Sequence, residues 1–463
     1  MQLQSNTLPY SAFLQKKTQH DGADGFAPRF IPEWLFPFQQ HLVEWAVQQG
    51  RAAIFADCGL GKTPMQLTWA DNVLHHTCKP VLVVTPIAVG FQTKLEAEKF
   101  GLEAEISRDG TITAGITITN YERLHLFNPD ELGGLVCDES SAIKSFDGVR
   151  RAIVTDFMRK MRYRLLCTAT AAPNDYIELG TSSEALGYLG YVDMLGRFFV
   201  NDNGNGIKAK RFQGQFSGQQ WRFKGHADQA FWRWVCSWAR AVRRPSDLGF
   251  SDDGFILPPL EHRLSMVDAR TLPPGQLFEM EAIGLHEERA ETRRTIQERC
   301  EKAAELLTDA ESAVAWCQLN DEGDLLTKLI PGAVQVSGSD SIESKEESLI
   351  AFARGQIPFL VTKPVIGAWG LNLQNCHRMT FFPSHSYEQY YQAVRRSWRF
   401  GQKHPVLVDM VTTSGGQRAL DNLLRKSNQA DTMFDALIEN MNDALGVKRS
   451  SDYLTEAEVP AWL

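Results

Sequence analysis

The chain has 463 residues, 43% of them apolar and 22% charged, with a formal net charge of −8. At roughly 150 residues per domain this length suits about three domains or two large ones, and the composition excludes a disordered or fibrous protein. No apolar run approaches the ~20 residues that span a bilayer, and the acidic balance argues at first sight against a nucleic-acid partner.

The polar stretch 1–20 lacks the basic-then-apolar pattern of a secretion signal, so a cytoplasmic protein with no membrane partner is expected. Eight cysteines, at 58, 78, 137, 167, 236, 300, 317 and 376, form no C-x-x-C pair and no zinc spacing with histidine. They read as reduced thiols in a cytoplasmic protein, without a metal cluster.

Short apolar runs at 52–56, 81–85, 115–119, 134–138 and 164–168 alternate with helix-like stretches in the first half. They are nearly continuously apolar, as expected of strands buried on both faces of a parallel sheet. The second half repeats the rhythm at 313–317, 333–336, 358–362, 378–382 and 406–411. Two successive α/β sheets are the economical reading.

The stretch between them, about 185–310, differs. Asn201 to Gln220 is rich in Gly, Asn and Gln and reads as loop; a Trp-rich helix over 231–244 follows, and Pro258-Pro259 breaks the chain near a boundary. From Gln276 to Asp309 the pattern is charged and helical, with Glu298 placed for an i,i+4 pair with Lys302. The expected division is an extension (1–30), a first lobe (31–185), an insert and linker (186–310), a second lobe (311–415) and a C-terminal helical segment (416–463).

Directly after the first apolar run stand Asp57-Cys58-Gly59-Leu60-Gly61-Lys62-Thr63, followed by a helical run from Pro64. A strand, a glycine-rich turn and a helix make a phosphate cradle, in which Lys62 reaches the terminal phosphates and Thr63 ligates Mg²⁺. Ala56 stands where the strict pattern has glycine. Asp138-Glu139 ends the run 134–138, where open α/β sheets bind ligands. Hydrolysis needs one carboxylate for the metal and one for the attacking water; Asp138 suits the first and Glu139 the second.

In this order the motifs resemble a superfamily-two helicase of the Swi/Snf-type branch of double-stranded-DNA translocases. That resemblance implies two RecA-like lobes with parallel sheets and a helical Trp-rich insert between them, with ATP and Mg²⁺ as cofactors and DNA, duplex or branched, as partner. Leu35-Phe36-Pro37-Phe38-Gln39 is similar to the motif whose glutamine reads adenine, which assigns Gln39. Thr85-Pro86 and Thr119-Asn120 resemble the motifs that contact the DNA backbone. Thr168-Ala169-Thr170, with Asn174 and Glu178 after it, resembles the coupling motif, and Gly370-Leu371-Asn372-Leu373-Gln374 the fifth motif, which adds Gly370 to the coupling set.

Gln392-Ala393-Val394-Arg395-Arg396-Ser397-Trp398-Arg399-Phe400-Gly401-Gln402 resembles the sixth motif. Arg396 and Arg399 are the expected arginine fingers, with Gln392 turned toward the nucleotide, because phosphoryl transfer spreads charge that arginines from a second domain neutralise. Two departures stand out: Ser140-Ser141 occupies the place of a histidine that links the ATP site to other motifs, and Trp398 replaces another histidine. Coupling through Ser141 is one expectation, weaker coupling the other. Pro245-Ser246-Asp247-Leu248-Gly249-Phe250 and Trp316-Cys317-Gln318-Leu319 resemble phage and mobile-element helicases, which implies a bacterial host cell.

Residues 201–250 hold nine Lys/Arg (208, 210, 211, 222, 224, 233, 240, 243, 244), three Asp and four of the eleven Trp, a local net charge of +6. On a helix over 231–244, Phe231, Trp234, Val235, Trp238 and Val242 share one face, and Arg233, Arg240 and Arg244 the other. The aromatic face reads as core. The arginine face, or the stretch 208–224, is either a solvated surface or a sequence-independent grip on DNA phosphates. A hairpin within 201–224 is a candidate strand-separating pin. Translocation on duplex, fork remodelling by branch migration, and an ATP-gated DNA-binding subunit beside a methyltransferase, nuclease or recombination partner all remain open.

Overall fold

The computed structural model describes residues 24–87, 89–144, 148–172, 175–201, 221–271, 285–367 and 372–450. The first strands are β1 (Arg51–Ala56), β2 (Val81–Thr85), β3 (Ala104–Ile106), β4 (Ile116–Asn120), β5 (Gly134–Asp138) and β6 (Tyr163–Thr168). Next come β7 (Phe199–Asn201), β8 (Trp221–Phe223), β9 (Ala239–Val242) and β10 (Leu260–Val267). The remaining strands are β11 (Ala313–Trp316), β12 (Ala333–Val336), β13 (Phe359–Thr362), β14 (Arg378–Phe381) and β15 (Val406–Thr413).

Two parallel sheets organise them. One has the order β3-β4-β2-β5-β6-β1-β9 and the other β10-β15-β14-β11-β13-β12. Strands β2, β4, β5 and β6 are buried along their whole length, which explains the apolar runs of β2, β5 and β6. In β4 the buried polar residues Thr117 and Thr119 alternate with isoleucines, and their hydroxyls find carbonyl partners. The first sheet has one large core, whereas the second has an apolar cluster on each face.

Two strands come from the segment read as insert and linker. β9 pairs with β1 through Ala53 to Ala239 and Ala56 to Val242, and β10 pairs with β15 over its full length. The helix expected over 231–244 is therefore corrected: it runs Ala227–Trp238 and stops where the backbone turns extended to join β1. Tertiary pairing overrides a helical pattern that continues past Trp238. The expected pair of Glu298 with Lys302 is also not formed. Glu298 is buried and accepts the Arg270 amide at 3.0 Å, while Lys302 reaches Glu305 at 2.8 Å.

The Trp-rich helix is core. Phe231, Trp234 and Trp238 are buried with Phe198 and Phe199, and Trp238 meets Phe55 of β1 edge-on at 6.2 Å. β7 and β8 pair antiparallel beside it. Residues 202–220 between them, including positions 208, 210 and 211 and most of the proposed hairpin, lie outside the described residues.

The helix Gln417–Ser450 joins both lobes. Leu420, Leu423 and Ala430 pack into the second sheet's core, then Met433, Phe434, Leu437 and Met441 into the first. Burying a side chain the size of Phe434 stabilises by about 2 kcal/mol, so this helix holds the lobes together substantially. No helix among the described residues is long and apolar enough to cross a membrane.

Candidate nucleotide site

The carboxyl ends of β1 and β5 are separated in the sheet by β6, and the segments leaving them form the first-lobe wall of a cleft of about 440 Å³. From β1 the chain passes through Gly59 (φ 88°) and Gly61 (φ 74°), conformations that favour glycine, into the helix Lys62–Thr77. Lys62 and Thr63 of that helix's first turn line the cleft, and a helix N-terminus is where anions bind favourably. Lys62 donates to the Ala56 carbonyl at 3.0 Å. Burial alone would lower its pKa, but Cys58 and the carboxylates of Glu139, Asp138 and Asp57 leave it raised, so it stays charged.

Asp138 is buried at the end of β5. One of its oxygens accepts from Gln66 at 2.6 Å, and its carbonyl accepts the Tyr121 hydroxyl at 2.6 Å. Burial, then the charge of Glu139, pushes the Asp138 carboxyl up to about 6. Glu139 adopts a left-handed backbone, φ 47° and ψ 54°, which is strained for a residue with a Cβ. It accepts from the Thr168 hydroxyl at 3.3 Å, and that hydroxyl in turn accepts the Thr170 amide at 3.0 Å. Glu139 is thereby tied to the end of β6.

A buried acid crowded by a half-buried one fits a divalent cation, because such a cation relieves their repulsion and the cost of burying the Asp138 charge. Thr63, Asp138 and Glu139 line the same cleft as Gly59, Gly61 and Lys62.

The second-lobe wall is the helix Tyr387–Ser397 and the turn after it. Gln392, Arg396 and Arg399 all line the cleft. Arg399 is pushed below the ordinary guanidinium pKa by burial, and its buried Nε has no hydrogen-bond partner among the described residues. The two walls nearly touch. A Cβ on Gly59 would meet the Phe400 amide nitrogen at 2.7 Å and the Arg399 Cβ at 3.4 Å.

Other assigned residues stand elsewhere. Gln39 is buried below the loop: its side-chain oxygen accepts the Phe36 amide at 3.0 Å and its side-chain nitrogen donates to the Leu60 carbonyl at 2.8 Å. It does not line the cleft. Thr85 and Thr119 are buried at the ends of β2 and β4, their hydroxyls spent on the carbonyls of Pro86 and Ser107 at 3.0 and 3.1 Å. Asn120 accepts the Arg123 amide at 3.1 Å as a cap, and Pro86 lines the same cleft as Lys62. Gly370 and Asn174 lie outside the described residues.

The three arginines do not share a face. Arg233 and Arg244 are exposed, but Arg240 is buried on β9, 4.3 Å over the Trp45 ring and bonded to the Ala239 carbonyl at 3.0 Å. An arginine so enclosed has no path to a phosphate.

Sequence reasoning missed several groups that join the walls. Asp57 pairs with Arg395 and accepts the Tyr391 hydroxyl, and Glu388 accepts the Ser141 hydroxyl at 2.9 Å and pairs with Lys144. The available signal was helical spacing, since Glu388, Tyr391, Gln392 and Arg395 recur at three or four residues along one face.

No family model matches the chain. A protein designated p41, from Acyrthosiphon pisum secondary endosymbiont phage 1, is 23% identical over 478 residues, covering 88% of this chain and 98% of that protein. Among solved structures, the Sulfolobus solfataricus SWI2/SNF2 ATPase core in complex with dsDNA is similar at 16% identity and a TM-score of 0.41, over 90% of this chain and 96% of that one.

Proposed function

We propose that the chain is an ATP-dependent DNA translocase of the Swi/Snf-like helicase type, hydrolysing ATP between its lobes. One observation carries this reading: a single cleft collects Lys62, Thr63, Asp138 and Glu139 from one lobe and Gln392, Arg396 and Arg399 from the other. A metabolic kinase has no use for the second set.

In this reading the loop amides and Lys62 hold the phosphates, and Glu139 orients the attacking water. Thr63 and Asp138 would hold Mg²⁺, which when bound neutralises charge on the phosphate oxygens. Arg396 and Arg399 stabilise the charge that develops on the transferred group, and they do so only while the lobes are closed. ATP thus favours closure and hydrolysis releases it. A pair of lobes that each grip the duplex backbone converts this cycle into movement along DNA.

The local net charge of +6 in 201–250 supports a backbone contact, with Arg222, Lys224, Arg233 and Arg244 exposed among its described members. The test is ATP turnover measured at one salt concentration with duplex, single-stranded, forked and four-way DNA and with RNA. Stimulation by duplex or branched DNA supports the reading; turnover indifferent to every nucleic acid contradicts it.

A further inference from the structure

Arg395 stands on the helix that carries Arg396 and reaches the start of the phosphate loop, yet the hydrolysis scheme gives it no task. Its guanidinium is enclosed, 4.2 Å from the Trp398 ring centre and 5.2 Å from that of Tyr391, and it pairs with the Asp57 carboxylate. Both partners are largely buried, with side-chain exposures of 12% for Arg395 and 8% for Asp57. The second Asp57 oxygen accepts the Tyr391 hydroxyl and the Cys58 amide, the latter at 2.6 Å. Trp398 is anchored in turn by its indole nitrogen on the Pro258 carbonyl at 2.7 Å.

The geometry is directional. Asp57 is the first residue after β1, two before the loop glycine Gly59, so whatever holds Asp57 fixes where the loop begins. Arg395 immediately precedes Arg396 on the helix and lies four residues before Arg399, which stands in the turn just past the helix end. The pair therefore connects the base of the phosphate loop to the base of both arginines. It also forms a partition: Asp57, Tyr391 and Arg395 line a cavity of about 1040 Å³ between the lobes, and Arg395 lines the nucleotide cleft as well. The close approach of Phe400 to Gly59 is a second contact of the same two segments. Burial alone would lower the Arg395 pKa, but Asp57 and Tyr391 hold it above the ordinary arginine range, so the pair is a charged one. Breaking a buried pair by removing one partner leaves the other charge stranded.

Resting on the proposed function, we infer that Asp57 and Arg395 are a positioning pair that docks the second lobe on the phosphate loop and so presents Arg396 and Arg399 to the nucleotide. Arg395 acts here through its neighbours and not on the phosphates.

The test uses the full chain with Asp57→Asn, Arg395→Gln and the double variant. Steady-state ATP turnover on duplex DNA is expected to fall ~10–100-fold in each single variant, with the ATP KM changed less than about threefold. The double variant is expected to be no worse than the more severe single, because both remove one link. Multiplied losses, or a rise in KM alone, overturn the pairing.

A second readout does not need turnover. Hydrogen exchange at the amides of 395–402 is expected to speed up at least ~10-fold in Asp57→Asn, a substitution in the other lobe, while the melting temperature stays within a few degrees. Unchanged exchange there overturns the proposal. If the parent chain hydrolyses no ATP and Lys62→Ala leaves nucleotide binding intact, the functional reading fails, and the exchange result still decides the pair.

Discussion

Ser141 donates its hydroxyl to a carboxylate oxygen of Glu388 at 2.9 Å, joining the segment after the acidic pair to the helix that carries Gln392 and Arg396. A serine thus makes the inter-lobe contact at a position where the resembled family has histidine. Because the bond links motifs and not substrate, we expect Ser141→Ala to lower DNA-stimulated kcat ~3–10-fold with little change in the ATP KM. Steady-state kinetics on duplex DNA checks this, and an effect confined to KM counts against it.

Gln39 is expected to act on the loop. Its amide holds Leu60, and a Cβ on Gly61 would meet the Gln39 Nε2 at 2.3 Å, so glutamine and glycine are packed against one another. Gln39→Ala removes a buried hydrogen-bond partner and loosens the loop for every nucleotide. We expect the KM for ATP and GTP to rise together by ~10-fold, with their ratio of kcat/KM held within about twofold. A selective loss of ATP over GTP would instead support adenine reading by Gln39.

Arg240 and Arg233 separate a structural from a binding role. Arg240 is enclosed by Trp45 and backbone carbonyls, and burial pushes its guanidinium down to about 10. Arg240→Ala is expected to lower the melting temperature and to leave the salt dependence of DNA binding alone. Arg233→Ala, at an exposed site, is expected to reduce the slope of log K against log salt by about 1 and to spare stability. Binding titrations at several salt concentrations, beside thermal melts, distinguish the two.

Asp409 on β15 is wholly buried, and neither of its carboxylate oxygens has a hydrogen-bond partner among the described residues. Burial raises its pKa despite the nearby charges of Arg263 and Arg378. A carboxyl raised in the folded state opposes folding once it is ionised, and the penalty disappears below its unfolded pKa of about 4. We therefore expect Asp409→Asn to raise the melting temperature at neutral pH, by an amount that shrinks to nothing as the pH falls through the acid range. Melts at several pH values check the sign; a lower melting temperature at neutral pH contradicts it.

How far the structure was legible follows from where each residue's partners lie. β2 and β5 announce themselves because both faces are buried and every residue is apolar or small. β10 does not: it is an edge strand with Glu261, His262 and Arg263 exposed or half-exposed, and its pairing with β15 joins residues far apart in the chain. β9 was hidden inside a helical pattern. The loop of Lys62, the pair Asp138-Glu139 and the arginines of the last motif are local patterns, and so were readable. The bond of Asp57 to Arg395 spans 338 positions, and in sequence Arg395 looks like a mere neighbour of Arg396. Which way a side-chain amide points, as at Gln39, depends on packing that no local pattern encodes.

The claim that matters most is that two lobes build one hydrolytic site. Its most direct test is ATP turnover on duplex DNA by the parent chain, Lys62→Ala and Arg399→Ala, with nucleotide binding measured in parallel. Both substitutions are expected to reduce stimulated turnover by ~10³-fold or more, while only Lys62→Ala weakens nucleotide binding strongly. Full stimulated turnover in Arg399→Ala, with Lys62→Ala inactive, would contradict a site shared between the lobes.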